Sequence, residues 1–300
     1  MLELDTQALV DIPVFSAVVS KAQPLREATS ITTVISGDEI RALGARDLKE
    51  VLDLVPDVSF GTDVANIIGI AFRGIWAQDG RVLLQIDGQP MNELAFGSLQ
   101  FGNHYPVQAI ERIGIIRGPG SINYGGFAGL GVSNVISKKD YTQPQGELVV
   151  SQGATRGGSS QTMSQLTYGT NIDGVKTNAS LAFNKGVCSS RSYTNLYGAS
   201  FSMQDDGALS DKYINYSVTY KDVSFRYIRS IYHNEHKDFY FSNSPLTPSF
   251  HFDQDNAELA YQPRLSDQVQ FSLAYQFHRD IPWHNDTDLQ RHYRIRILIH

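Results

Sequence analysis

The sequence predicts an α+β domain followed by an antiparallel β-barrel. Three observations predict it. Strand-like and helix-like periods alternate, punctuated by glycine, between Ile31 and about Asp140. From Gly146 onward apolar and polar residues alternate with a strict period of two. The links between those alternating segments are themselves alternately short and long, the asymmetry of a membrane barrel with tight turns at one end and loops at the other.

Composition narrows the class. Of 300 residues, 41% are hydrophobic and 19% charged, which is ordinary for a folded chain. A net charge of -6, with no basic run longer than Lys138 and Lys139, excludes a nucleic-acid footprint. Fifteen Tyr and fifteen Phe beside two Trp favour β-structure, because aromatic rings fit a pleated, half-exposed surface. Cys188 is the single cysteine and permits no internal disulfide. Met1 to Asp5 shows no secretory signal, and no apolar run reaches the ~18 residues of a membrane-spanning helix.

Residues 1–30 read as a flexible arm: Leu9 to Val19 carries Pro13 and runs into polar Ser20 to Ser30. Ile31 to Ser36 is strand-like. Ser36 and Glu39 then form a capping box before Ile40 and Leu43, and Asp47 with Glu50 repeats it. Leu48, Val51, Leu52 and Val55 make a helical stripe that Pro56 ends. Ile67 to Phe72, Arg81 to Ile86 and Ile113 to Ile116 read as buried strands, and Pro106 as the start of a helix carrying Val107 and Ile110.

Beyond Gly146 one face of each segment is apolar. Val269, Phe271, Leu273, Tyr275 and Phe277 oppose Gln268, Gln270, Ser272, Gln276 and His278; Ala179, Leu181 and Phe183 oppose Asn178, Ser180 and Asn184; Tyr293, Ile295, Ile297 and Ile299 oppose Arg294, Arg296 and His300. Eight strands are predicted, at 146–153, 161–169, 175–185, 196–204 or 212–220, 222–232, 255–262, 268–278 and 291–299. Short links fall at Thr170 to Gly174, Lys221 to Asp222 and Pro263 to Asp267. Long ones fall at Gly186 to Lys212, His233 to Gln254 and Arg279 to Gln290, with Leu196 to Met203 as an extra hairpin arm. A soluble sandwich alternates too, but has no reason to keep this parity.

The motifs of the first domain are FRG at Phe72 to Gly74, RVLLQIDGQPMN at Arg81 to Asn92, PVQAIERIGIIRGPGSINYG at Pro106 to Gly125 and GVSNVISK at Gly131 to Lys138. Together they resemble the plug domain of TonB-dependent outer-membrane receptors. Val34 to Ile40 resembles the plug's first block, and Leu9 to Ala17 the family's energy-coupling box. The resemblance implies an α+β plug at 31–140 and, at 146–300, the first part of a transmembrane β-barrel in the outer membrane of a Gram-negative cell. Barrels that hold a plug have about 22 strands and small eight-stranded ones fill their own interior. At the spacing seen here, 22 strands with a plug need on the order of 560 residues. The chain also ends on Leu298, Ile299 and His300, without the family's terminal aromatic, so it is expected to be the amino-terminal part of a longer receptor, monomeric when complete.

The resemblance further implies energy-coupled uptake of a scarce nutrient such as a siderophore, corrinoid or haem. Asp11, Ile12, Pro13, Val14, Phe15, Ser16 and Ala17 would pair edge-on with TonB, Pro13 disfavouring helix there. Asp63, Asn66, Asn92, Glu93, Phe96, Gln100 and Asn103 are the expected substrate contacts at the outer apex. The Trp76 to Gly80 turn is then expected at the periplasmic side, with Arg81 to Asp87 climbing back. Arg73, Arg81, Glu111, Arg112 and Arg117 are expected to bind plug to barrel wall. The expected partners are TonB, outer-membrane lipid and a small nutrient ligand, with no cofactor.

Other chemistries lack their signatures. Gly118, Pro119, Gly120 and the glycines to Gly131 are followed by no GK[ST], and no GxSxG or HExxH occurs, so neither nucleotide binding nor an enzyme is expected. His233 and His236 with Asp238, and Asp286 with Asp288, have metal-ligating types without a defining spacing, and no metal is expected. The rival reading of the fold is a non-transporting structural or adhesive barrel.

Overall fold

The computed structural model describes residues 13–15, 22–24, 31–118 apart from 64, 124–155 apart from 140, 158–187, 191–194, 198–203, 207–235, 249–266, 269, 271–284 and 292–299. In the arm, β1 (Pro13–Phe15) pairs antiparallel with β2 (Ala22–Pro24). Cys188, His236, Asp238, Asp286 and Asp288 lie outside the described residues.

Local signals set the first elements. After β3 (Ile31–Ser36), the Ser36 side chain accepts from Glu39 N at 3.2 Å while the Glu39 carboxylate accepts from Ser36 N at 2.7 Å, which starts α1 (Gly37–Leu43); Gly44 closes it at φ 67°. Asp47 caps α2 (Leu48–Leu52) by accepting from Glu50 N at 3.0 Å. The reciprocal half of that box differs from expectation: Glu50 reaches past the cap to Arg46 N (2.9 Å) and the Arg46 guanidinium. Asp47 is instead shared with Asn103 N, at 2.6 Å.

Five strands form the domain's main sheet, in the order β3, β9 (Ile110–Arg117), β10 (Gly131–Ser137), β7 (Val82–Ile86), β8 (Gln89–Pro90). Only β10 and β7 run parallel. A smaller sheet joins β4 (Val58–Thr62), β5 (Ile68–Phe72) and β6 (Ile75–Trp76). The α2 stripe of Leu48, Val51 and Leu52 closes over Ile70, Phe72, Leu84, Ile113 and Ile115 in one core. Each fully buried aliphatic there contributes about 1.5–3 kcal/mol. Pro106 does not open a helix: it makes an isolated bridge to Asp47, and Ile110 N bonds back to Val107 O in a single turn. Strand pairing of Ile110 with Ser137 captures the residue a longer helix would need.

The second half is one antiparallel sheet of eight strands: β11 (Gln145–Thr155), β12 (Gly158–Ile172), β13 (Val175–Val187), β16 (Ala208–Tyr220), β17 (Val223–Glu235), β18 (Ser249–Tyr261), β19 (Leu273–His284) and β20 (His292–Ile299). The ambiguous fourth strand is therefore the 212–220 candidate. The other lies near the hairpin of β14 (Ser192–Thr194) and β15 (Ser200–Ser202) within the 188–207 link. Among the described residues β11 and β20 are the open edges. The predicted 268–278 strand is displaced: Val269 N bonds Ser266 O and Phe271 N bonds Pro263 O ahead of it, and β19 begins at Leu273 and runs on to His284.

Link lengths follow the predicted parity at 173–174 and 221–222 against 188–207 and 236–248. Parity fails twice: the first link at the long-link end is only 156–157, and 262–272 is longer than 285–291 because β19 begins later and ends later than its pattern indicates. Asp173 (φ 50°) and Gly174 (φ 82°) make a two-residue turn whose positive φ pair matches strand twist.

Burial across this sheet is inverted relative to a sheet in water. Leu148, Leu166, Phe183, Leu259, Tyr275 and Ile297 are exposed, Leu148 at 67% and Ile297 at 65%, while Gln165, Ser180, Asn184, Asn215, Ser230, Asn234, Gln254 and Asn256 are buried against the α+β domain. That arrangement fits an apolar solvent outside and a polar lumen, and excludes a sandwich, whose inner face would be apolar. No described helix is long and apolar enough to cross a membrane.

Replacing Leu84, which is fully buried, with alanine is expected to lower unfolding stability by about 2–5 kcal/mol, read from the urea midpoint. Leu148→Ala on the outward face is expected to change it by less than about 1 kcal/mol.

Candidate ligand site and the seam between domain and wall

The seam between the two halves is hydrogen-bonded along its length. Asp87 lies at the β7–β8 turn with φ 52°, fully buried on its side chain. Its Oδ1 accepts from Ser137 N at 3.0 Å, and its Oδ2 accepts from Arg226 Nη1 of β17 at 2.6 Å; Lys139 Nζ stands 3.4 Å away. Arg226 also donates to Asn215 Oδ1 at 3.0 Å. Burial pushes the Asp87 carboxyl upward, but Arg226, Lys139 and the two Ser137 bonds outweigh it and hold it below the usual range.

Further along, Gln89 donates to Glu258 at 2.8 Å, Gln254 to Met91 O at 3.1 Å, and Leu94 N to Asp280 Oδ2 at 2.7 Å. Asn234 donates to Ala65 O at 3.0 Å and Tyr232 to Phe101 O at 2.9 Å. His104 is fully buried, 3.7 Å from the Tyr105 ring centroid and 4.8 Å from that of Tyr232. Its Nδ1 meets Gln100 O and its Nε2 meets Ser230 Oγ, both at 2.8 Å, with Asp211 Oδ1 at 3.5 Å. Burial lowers the imidazole to about 3, only partly offset by the Gln100 carbonyl, so the ring stays neutral.

These pairings orient the domain. Asp87 meets Arg226 near the 221–222 turn, whereas Phe96 meets Trp283 near the 285–291 link. Gly80 packs against the Phe96 carbonyl and Gly97. The Trp76 to Gly80 turn therefore sits beside Phe96, and Arg81 to Asp87 runs from that region toward the short turns. This reverses the expected direction. The cause is β10, which runs parallel to β7 and carries Ser137 to the same end as Asp87.

The expected apex contacts separate into two groups. Asn92 and Glu93 are wholly buried: Asn92 accepts from Leu84 N and donates to Val82 O and Gly97 O, and the Glu93 carboxylate gathers Ala95 N, Phe96 N and Ser98 N. Gln100 is buried on Ser98, and Asn103 (φ 57°) accepts from Gln161 at 2.8 Å and Asn184 at 3.2 Å. Asp63 closes its own loop through Ala65 N and Ile67 N, and Asn66 donates to Glu235 O at 2.9 Å. Phe96 alone of the seven presents a largely exposed side chain.

Phe96 lines an open cavity of about 590 Å³ with Trp76, Gln78, Asp79, Arg81 and Trp283. Both tryptophans of the chain are in it. The Trp76 indole lies close over Gly61 and Gly69, so closely that a Cβ at Gly69 would stand 2.9 Å from it. Trp283 holds φ 55°, next to the register shift between β18 and β19, and packs edge-on against Phe250 and Phe252. A left-handed conformation at a bulky residue is strained and is characteristic of sites whose surroundings fix it. Sequence reasoning missed Trp76 and Trp283; their rarity among the aromatics was the available signal.

The five charges expected to bridge to the wall pair within the domain instead. Arg73 donates to Arg117 O at 3.0 Å, Arg81 pairs Asp79 at 2.6 Å, Arg112 pairs Glu111 at 2.5 Å, and Arg117 contacts Thr33, Pro56 O and Asp57. The bridging cation comes from the wall, as Arg226. Of the arm residues, Pro13, Val14 and Phe15 are in β1, while Asp11, Ile12, Ser16 and Ala17 lie outside the described residues. No described cluster of His, Cys, Asp or Glu could hold a metal; His233 stacks on His251 at 4.3 Å.

Residues 24–132 match the TonB-dependent Receptor Plug Domain family. The match falls on the inner domain, which is similar to a TonB-dependent receptor plug. The chain is similar to the vitamin B12 transporter BtuB of Vibrio vulnificus, 41% identical over 117 residues, which are 38% of this chain and 19% of that protein. It is also similar to the ferrienterobactin receptor of Escherichia coli K12, 32% identical over 139 residues, 41% of this chain and 18% of that protein. The fold is that of the ferric enterobactin receptor PfeA of Pseudomonas aeruginosa, with TM-score 0.66 at 15% identity over 94% of this chain and 46% of that one. It is likewise that of the ferric-catecholate import receptor Fiu of E. coli K12, with TM-score 0.65 at 16% identity over 96% and 47%. The matched stretch is thus about a fifth of these curated relatives, and the chain covers less than half of each solved neighbour.

Asp87→Asn is expected to strand Arg226 and to cost about 3–5 kcal/mol, with the Asp87→Asn, Arg226→Met double variant costing less than the two singles together, measured by chemical denaturation. His104 sets a pH dependence. Because its folded value, about 3, lies below the unfolded 6.5, its contribution is complete above pH 6.5 and is lost as pH falls below it. The slope should approach about 1.4 kcal/mol per pH unit, and His104→Gln should flatten stability between pH 6.5 and 4.5.

Proposed function

We propose that this chain captures a scarce nutrient for TonB-coupled uptake across an outer membrane. The observation that carries the reading is a plug seated on the polar face of a wall whose other face is apolar. The relatives are a vitamin B12 transporter and receptors for ferric enterobactin, and one of them is an iron-regulated outer membrane virulence protein of Vibrio cholerae. A corrinoid or a ferric siderophore is accordingly the ligand class.

Ligand reaches the plug from the long-link end, where Phe96, Trp76 and Trp283 give stacking surfaces and Arg81 gives a cation beside them. Asp63, Asn66, Asn92, Glu93, Gln100 and Asn103 hold the loops that carry these rings. Capture then frees Asp11 to Ala17, and the segment pairs as an added strand with TonB. Pulling on the arm is opposed by the seam: the Asp87–Arg226 pair and the His104 contacts must yield before a path opens past the plug.

Deleting Asp11 to Ala17 in the full-length gene is expected to abolish growth on the limiting nutrient while ligand binding to isolated outer membranes is unchanged. Undiminished uptake would favour a non-transporting barrel. Phe96→Ala with Trp283→Ala should raise the Kd for ferric siderophore or cobalamin about tenfold or more, by titration.

A further inference from the structure

The strand ends that hold Trp283 carry a second pattern on their opposite face. His233, His251 and His284 are directly opposite one another across β17, β18 and β19, at the long-link end. Alternation puts them on the outward face, because their neighbours Tyr232, Asn234 and Phe252 are buried inward. The three imidazoles stack as a ladder. Ring centroids are 4.3 Å apart between His233 and His251, with planes at 14°, and 5.1 Å apart between His251 and His284, at 23°.

The ladder stands back to back with the cavity at Phe96. His284 follows Trp283 in the chain, and His251 lies between Phe250 and Phe252, the two rings that Trp283 meets edge-on at 5.4 and 5.0 Å. Between the pairs His251–His284 and Asp253–Ile281, Phe252 alone faces both Pro282 and Trp283, which makes a bulge. The left-handed φ of 55° at Trp283 is therefore pinned from two sides, by Ile281 below and His284 above. Whatever moves His284 moves the upper pin of a ring whose centroid is 6.3 Å from that of Phe96.

His284 is placed to move. Its Nε2 is buried, has no hydrogen-bond partner among the described residues, and stands 4.0 Å from Asp253 Oδ1, too far for a hydrogen bond. Asp253 belongs to the pair on the other side of the bulge. A proton on His284 gives the two groups opposite charges, and their attraction draws the imidazole toward Asp253. A proton on His251 repels it in the same direction. Both forces unstack His284 from His251 and compress the bulge. The other charges on this face, among the described residues, are Glu235 two residues beyond His233, Lys212 diagonal to His233 on β16, and Arg279, which Asp255 holds farther down β19. The topmost described pair of β20 sets His292 opposite Asp280, below the ladder.

We propose that the ladder of His233, His251 and His284, with Asp253, makes the cavity sensitive to pH: protonation unstacks His284, frees Trp283 from its pinned conformation and lowers affinity for the ligand. The ligand prefers the form with fewer protons, so its binding expels a proton by reciprocity. Histidine is the side chain that ordinarily changes charge between pH 5 and 8, and affinity therefore falls as the medium turns acidic. The inference rests on the reading that this cavity captures the nutrient, and is independent of which nutrient that is.

The test uses the full-length receptor in mild detergent, labelled with fluorotryptophan, and follows the Trp283 resonance, assigned with Trp283→Phe, by fluorine NMR. That resonance is expected to shift between about pH 7.5 and 5.5. Over the same range the Kd of cyanocobalamin or ferric enterobactin, whichever the receptor binds, should rise about fivefold, within the tenfold per pH unit that one linked proton allows. His284→Gln and Asp253→Asn should each remove most of both responses, and comparison with them cancels any titration of the probe. Unchanged heat-modifiable gel mobility shows that the variants are folded. An equal resonance shift in folded His284→Gln overturns the proposal. A wild-type Kd that stays level across this range also overturns it and leaves capture at the cavity standing. Undiminished binding by Trp283→Ala overturns both, because it removes the cavity from capture.

Discussion

Alternation of side chains along an extended strand is the constraint on which the rest of this structure depends. A strand that turns apolar residues toward lipid must turn its other residues inward, and inside a membrane every backbone group has to be paired within the ladder. The wall meets both demands at once. Its lumen face is consequently a field of amides, hydroxyls and a few charges, and whatever occupies the lumen has to satisfy them.

The plug does so with loops more than with its sheet. Asn66, Leu94, Phe101, Asn103 and His104 all bond to the wall from turns or loop segments, and Gln89 does so from the short edge strand β8. Most of the hydrophobic core of the plug stays behind them, and the two halves share apolar surface in two patches, one where Ala182, Tyr213 and Ile228 join that core and one where Leu209, Tyr232 and Phe252 meet Ala65 and Ile67. A seam made of hydrogen bonds is compatible with rearrangement, because water can replace each bond at little net cost, whereas an apolar interface of equal area would resist opening. The Asp87–Arg226 pair is the exception. Buried, it costs much to break one-sidedly.

The open cavity at Phe96 illustrates a division of labour between backbone and side chain. Gly61 and Gly69 have no Cβ and let the Trp76 ring lie against the strands, and the irregularity between β18 and β19 turns Trp283 toward Phe96. Neither device involves the polar residues that sequence reasoning favoured as ligand contacts. Asn92 and Glu93 looked like ligand donors because they are polar and sit in a predicted apical loop. They are used instead to hold that loop's own amides, which a loop buried between plug and wall must satisfy internally.

By itself the sequence determined the periods: the capping signals at Ser36 and Asp47, the α2 stripe, three buried plug strands, and the two-faced strands of the wall. Those are local, each set by neighbours within a few residues, and the motifs of Phe72 to Gly74 and Pro106 to Gly125 carried the family resemblance with them. Tertiary structure alone decided what required a partner far along the chain. Arg226 rather than Arg73 or Arg117 became the bridging cation, Pro106 joined a bridge to Asp47 in place of a helix, and the parallel pairing of β10 with β7 reversed the direction of Arg81 to Asp87. Charge and polarity in a sequence specify that a group must be paired; only the packed chain specifies with what.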